Sequence, residues 1–414
     1  MATSSIPQSG EHSVNRCEPA VEPNKGTALF LVVSILALSL FLQAEISSRQ
    51  ALLFLVAVGL GISLMHAMFG FTGGWSRFIR SRHSAGIRGQ LLLFALAATL
   101  FFPVLAGVFP ALHASPALAP VGTSVAVGAF LFGIGMLLGG GCASGTLFTV
   151  GQGQTDMIIT LIFFILGSFI GSIHLPWWLE LPSAGRISLI RELGWPSALA
   201  LELALLAAIY LLVTRVERRR NGAVVSLFEV PGDQHKPFLD RLIFGPWPLA
   251  WGALGLALFA FLTLLLAGHP WSITFAFGLW GAKLYQAFGG DPTHFSYWSS
   301  GYPLRALNHS VLAEVTSVMN FGIMFGAGLA AALAGKFAPA QYIPAKRVVA
   351  AVLGGLLMGY GARLAFGCNI GALLGGISSG SLHGWLWAVT GFLGAMAGVR
   401  ARIWLRLDPP LGRH

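Results

Sequence analysis

GGGCASGTLF, residues 139–148, interrupts an apolar run where a membrane helix would otherwise continue. AFGCNIGALL, residues 365–374, does nearly the same. Glycine lets the backbone leave helical geometry without a Cβ clash. A chain that breaks and restarts inside a bilayer leaves free N–H groups and the positive end of a helix, which together favour an anion. A cysteine at that position adds a thiol that donates one weak hydrogen bond and accepts another. Two such breaks, one in each half of a chain, are the sequence mark of a transport site. Gly141, Cys142 and Gly145 form the first, and Gly367, Cys368, Asn369 and Gly371 the second.

The surrounding composition sets the fold class. Of 414 residues, 55% are hydrophobic and only 10% charged, against about a quarter charged in soluble domains. Continuous apolar runs recur throughout, which predicts an all-α, polytopic membrane protein and disfavours a barrel, whose strands would alternate. Candidate spans are 27–44, 51–70, 90–109, 121–139, 157–174, 197–214, 247–267, 272–289, 312–334, 347–365 and 383–404. The intervening 140–155, 289–302 and 366–381 are too apolar or glycine-rich for ordinary loops and are expected to re-enter the protein interior. The net charge of +10 follows from basic residues in short loops, the positive-inside bias, and does not call for nucleic acid. The three cysteines, Cys17, Cys142 and Cys368, make no disulfide framework, and no CxxC, zinc or haem spacing is present, so no cofactor is expected. Nor does a nucleotide-binding motif appear, and an enzyme is not expected.

The chain divides into a polar tail (1–26) without a cleavable signal, a membrane repeat (27–214), a charged cytoplasmic linker (215–246), a second membrane repeat (247–406) and a short tail (407–414). Shifting 128–147 by 226 positions onto 354–373 aligns nine identical residues of 20, including Cys142 with Cys368; roughly two or three would match by chance at this composition. This is read as an internal repeat. The loop at 71–89 (Arg77, Arg80, Arg82, Arg88), the linker (with Lys236), the 335–347 turn and the C-terminal tail (with Arg413) are all basic and expected in the cytoplasm. All four fit only if one apparent span fails to cross. With 272–289 as that segment, the two pseudo-symmetric repeats are inverted.

Polar residues at membrane depth are costly and are candidates for function. His66 precedes Gly70 by one helical turn and would face the path, or serve structure alone. Arg363 precedes Cys368 and would attract an anion, or snorkel to the interface. Asn369 would fix its break by local backbone hydrogen bonding. Lys283 would meet an acid or substrate, or sit at the interface.

GGGCASGTLF, FGCNIGALLGG and FGFTGGW (69–75), in two inverted-looking halves, resemble the YeeE/YedE family of sulfur-compound transporters over roughly residues 50–400. The resemblance implies an hourglass of transmembrane helices with re-entrant half-helices, in the inner membrane. It implies uptake of thiosulfate, passed along by S–H hydrogen bonds without a covalent bond, with Cys142 and Cys368 as matching positions. It also suggests a cytosolic sulfur carrier or sulfurtransferase as partner. The family pattern carries a further cysteine where this chain has Gly70, so another sulfur or selenium species remains a candidate. Alternatives are a membrane thiol oxidoreductase, a channel for a small neutral solute, and a non-transporting subunit.

Overall fold

The computed structural model describes residues 23–230, 237–337 and 343–409. Cys17, Lys236 and Arg413 lie outside the described residues. Among those residues there is no strand, and ten helices are long and apolar enough to cross a membrane. The chain is an all-α polytopic membrane protein.

The first half contains α1 (Lys25–Glu45), α2 (Ser48–His66), α3 (Phe71–Ser81), α4 (Ala85–Leu105), α5 (Thr123–Leu138), α6 (Ala143–Gly151) and α7 (Asp156–Leu179). A short α8 (Leu189–Leu193) leads into α9 (Trp195–Asn221), and α10 (Phe238–Phe244) precedes the second half. There follow α11 (Leu249–Ala267), α12 (Thr274–Ala287), α13 (Gly301–Asn308), α14 (Val315–Leu333) and α15 (Ala345–Leu364). A π-helical stretch, Asn369–Leu374, runs into α16 (Gly375–Ile377), and α17 (Leu382–Trp404) ends the bundle.

Packing is reciprocal. α5 lies along α17 as α15 lies along α7, and α5 and α15 face each other between them. Small residues permit this. A Cβ on Gly133 would sit 2.2 Å from the Gly391 carbonyl, and one on Gly359 would sit 2.2 Å from the Phe164 carbonyl. Close backbone approach of this kind replaces the hydrophobic effect as the source of helix association in lipid. Outside this centre, α2 packs on α14 and α11, and α4 on α11 and α9.

The segment 272–289, singled out above as the apparent span that does not cross, holds α12 of 14 residues, about 21 Å of helix, which is short of the hydrocarbon thickness. Other expectations change. The basic loop expected at 71–89 is largely helical, and Arg88 is no surface residue. It is 4% exposed, pairs with the buried Glu217 carboxylate (3.3 Å) and donates to Ser84 (2.9 Å) and to the Val225 carbonyl. The linker expected from 215 begins later, because α9 continues to Asn221. The 289–302 stretch forms two 3₁₀ turns and much of it is exposed, whereas 140–155 and 366–381 do hold short buried helices.

Candidate functional site

Helices restart after a break at four places: before α3, α6, α12 and the π-helix. Three of these breaks share one local geometry. A residue in the left-handed region comes first: Met68 (φ 45°), Gly140 (φ 83°) or Phe366 (φ 59°). Two positions later an extended residue caps the new helix: Gly70, Cys142 or Cys368. Met68 and Phe366 are not glycines, so their conformation costs about 1–3 kcal/mol each and persists only because the surroundings enforce it. The fourth break is longer, from the left-handed Gly268 to Ile273.

Cys142 is 1% exposed and Cys368 is fully buried. Both are free thiols. They belong to one buried cluster with Phe69, Phe71, Trp271 and Ile273, the residues flanking the other two breaks. α6 touches the π-helix, so the two broken helices that begin at Cys142 and Cys368 meet. Cys142 Sγ lies 3.4 Å from Ser144 Oγ, and the Cys142 carbonyl accepts from Thr146 N (2.7 Å). Cys368 Sγ accepts from Ile370 N (3.4 Å), while its carbonyl accepts from Ala372 N (2.9 Å) and Leu373 N (3.3 Å). The last bond reaches one residue further than an α-helix allows, which opens the π turn; such turns gather at functional sites.

The glycines do different jobs. A Cβ on Gly145 would lie 3.5 Å from Cys142 Sγ, so Gly145 keeps the thiol uncovered. A Cβ on Gly371 would lie 3.2 Å from Ser272 Oγ, so this glycine lets the α12 break approach the Cys368 break. Gly367 (φ 152°) cannot carry a side chain without meeting Ala372 N at 2.6 Å, and Gly141 is crowded by Thr146 N (3.2 Å). At Gly70 an added Cβ would meet nothing within 4 Å.

Five buried side-chain polar atoms without partners lie at these breaks, and others lie elsewhere in the bundle. Thr72 Oγ1 lies on the first turn of α3 and Thr146 Oγ1 on α6, with Trp271 Nε1 before α12 and both side-chain atoms of Asn369 on the π-helix. A buried polar group without a partner costs about 1–3 kcal/mol, so these five point to a ligand or water that would satisfy them. Asn369 therefore does not fix its break, as its sequence position suggested; Cys368 Sγ takes that role. Thr72 and Trp271 escaped the sequence reading. Thr72 was legible inside FGFTGGW, and Gly268 and Pro270 marked the helix end before Trp271 without marking the indole as part of a site.

Arg363 does not snorkel. It is 8% exposed and donates to Tyr297 Oη (2.8 Å), Thr274 O (2.8 Å) and Ser168 Oγ (3.2 Å), with Nε unpaired. His66 packs its ring at a tilt against Trp247 (5.3 Å between centroids) and lines a cavity of about 200 Å³ with Gly245 and Lys336 that no residue of the Gly70 break borders. Lys283 neither pairs with an acid nor points at the site: its ammonium donates to the carbonyls of Leu307 (2.8 Å) and His309 (2.7 Å), closing the end of α13.

Residues 66–397 match the sulphur transport family, a span that includes all four breaks. The chain belongs to that family. It is 30% identical over 295 residues to the thiosulfate transporter TsuA of Spirochaeta thermophila, covering 65% of this chain and 74% of that one. Against TsuA of Escherichia coli it is 24% identical over 362 residues, 81% of this chain and 89% of the relative. The probable transporter YedE of Escherichia coli is 35% identical over 136 residues, and the match spans 33% of each protein. These relatives are named as transporters, which sets the oxidoreductase alternative aside.

Proposed function

We propose that this protein carries a small sulfur-containing anion, thiosulfate foremost, into the cell across the inner membrane. The observation that carries the reading is the contact of two broken helices, each begun by a buried free thiol, among polar atoms that lack partners. Each helix start contributes a partial positive charge and free N–H groups. In a water-poor site such dipoles attract an anion more strongly than they would in water. Cys142 and Cys368 donate S–H hydrogen bonds to the sulfur or oxygen atoms of the anion in turn, and no covalent bond forms.

Gly141 and Gly367 make the two turns, while Gly145 and Gly371 leave room for substrate beside the thiols. Gly70 forms a third station that offers backbone donors and space but no thiol. Asn369 and Thr146 satisfy the anion's oxygens as it passes. Arg363 supplies a fixed positive charge beside the start of α12, and His66 with Lys336 forms a polar cavity at the cytoplasmic mouth. The reciprocal packing of α5 on α17 and α15 on α7 supports inverted repeats around this path. A cytosolic sulfurtransferase or sulfur carrier is the proposed recipient.

The test is growth of a transporter-deficient bacterium on thiosulfate as sole sulfur source. The intact chain should restore growth, and Cys142→Ala and Cys368→Ala should abolish it at equal membrane abundance. Growth with both alanine variants would remove the thiols from the mechanism. Failure of the intact chain, with uptake of another sulfur oxyanion, would move the substrate and keep the path.

A further inference from the structure

A cavity of about 670 Å³ lies off the cysteine path. It is a cleft between α9 and α17, floored by α3 and the π-helix and walled by Phe78, Phe94, Ile209, Val213, Leu373 and Phe392. α9 packs along α4 and meets α17 at Trp385, whose indole N–H donates to Glu202 (3.3 Å). Along the rest of its length the cleft stands open. Leu212 (60%), Val389 (61%) and Leu393 (50%) are exposed on its rim, and α4, α9 and α17 are all long and apolar enough to cross a membrane. The cleft therefore opens toward hydrocarbon.

Its wall offers nothing to a polar ligand. The Trp75 indole N–H already donates to Gln90 Oε1 (2.8 Å), and the Gln90 amide N–H₂ reaches the Gly70 carbonyl (3.4 Å). A quinone ring would find no donor for its carbonyls, whereas an alkyl chain needs none. The mouth differs in character. Arg82 lines it, exposed and stacked over Phe78 (5.8 Å), and among the described residues it has no carboxylate partner. The end of α9 is held beside it by the Asn221 amide, which donates to the Ser81 carbonyl (3.3 Å). That contact sets the last turn of α9, with the exposed Arg218, Arg219 and Arg220, beside the end of α3.

We propose that this cleft binds an anionic phospholipid. One acyl chain fills the space between α9 and α17, and the phosphate pairs with Arg82 and the α9 arginines. The bound chain presses on the backs of α3 and of the π-helix, the two short helices that hold Gly70 and Cys368. Lipid occupancy thus stiffens one break from each half of the protein.

The test uses the full chain purified in mild detergent, exposed to an equimolar mixture of phosphatidylglycerol and phosphatidylcholine, with retained lipids counted by native mass spectrometry. Phosphatidylglycerol should be held in preference. Arg82→Ala, at an exposed position, should lower that preference about fivefold, the worth of one basic residue at an anionic surface. Val389→Trp should fill the cleft and lower retention of both lipids, and phosphatidylglycerol should raise the melting temperature of the unaltered chain but not of this variant. Equal retention of the two lipids by the unaltered chain would overturn the proposal. So would unchanged retention in both variants, or co-purification of a neutral isoprenoid quinone in the cleft instead of phospholipid.

Discussion

The substitution Gly70→Cys tests whether the first break lines the same path as the other two. The backbone at Gly70 is extended (φ −129°, ψ 135°), a conformation open to any residue. An added Cβ has no heavy atom within 4 Å, so neither strain nor overpacking opposes the change. Removing a glycine also limits the unfolded chain, by about 0.4–1 kcal/mol. The variant should therefore fold at least as well as the parent. A third S–H donor is worth a net ~0.5–1.5 kcal/mol where it meets substrate, which lowers the half-saturating thiosulfate concentration about two- to tenfold. Uptake of labelled thiosulfate into proteoliposomes measures this directly. In a background with Cys17, Cys142 and Cys368 replaced by alanine, a small methanethiosulfonate reagent should modify the introduced thiol, and thiosulfate should slow the reaction. Modification at the same rate with and without thiosulfate, or none at all, would refute the placement of Gly70 on the path.

Gly367→Ala should behave oppositely, since its φ of 152° disfavours a side chain and Ala372 N would lie 2.6 Å away; a loss of about 1–3 kcal/mol should appear as a lower melting temperature together with lost uptake. Cys368→Ser should keep the cap to Ile370 N, now formed by a hydroxyl, and so melt near the parent while uptake falls; equal uptake would show that sulfur is dispensable there. Glu217→Gln leaves Arg88 buried beside a neutral partner and should cost ~3–5 kcal/mol, read as lower abundance in the membrane and earlier unfolding. On the C-terminal tail, hydrogen bonds from Arg402 hold the Asp408 carboxyl below its ordinary value of 3.8. Its contribution is thus complete above that pH and lost only as pH falls through the depressed value, so protease cleavage of the tail should stay flat from neutral pH down to about 4 and rise only in stronger acid.

Composition and spacing determined a good deal. Long apolar runs can satisfy their backbone in lipid only as helices, so the all-α membrane fold was legible before any coordinates. The in-phase Gly-Cys pairs located two of the four breaks, because glycine leaves helical geometry without a Cβ clash and the repeat set both cysteines at matching places. Tertiary structure decided the rest. The breaks at Met68–Gly70 and Gly268–Ile273 carry no cysteine; Gly268 and Pro270 signal the second as a helix end, but the left-handed Met68 is imposed by packing, which no local pattern records. Whether Arg88 and Arg363 reach water or a buried partner depends on where α9, α12 and the Tyr297 turn come to rest. Those elements are far away in the chain, and a charge finds its partner by proximity in space rather than in sequence.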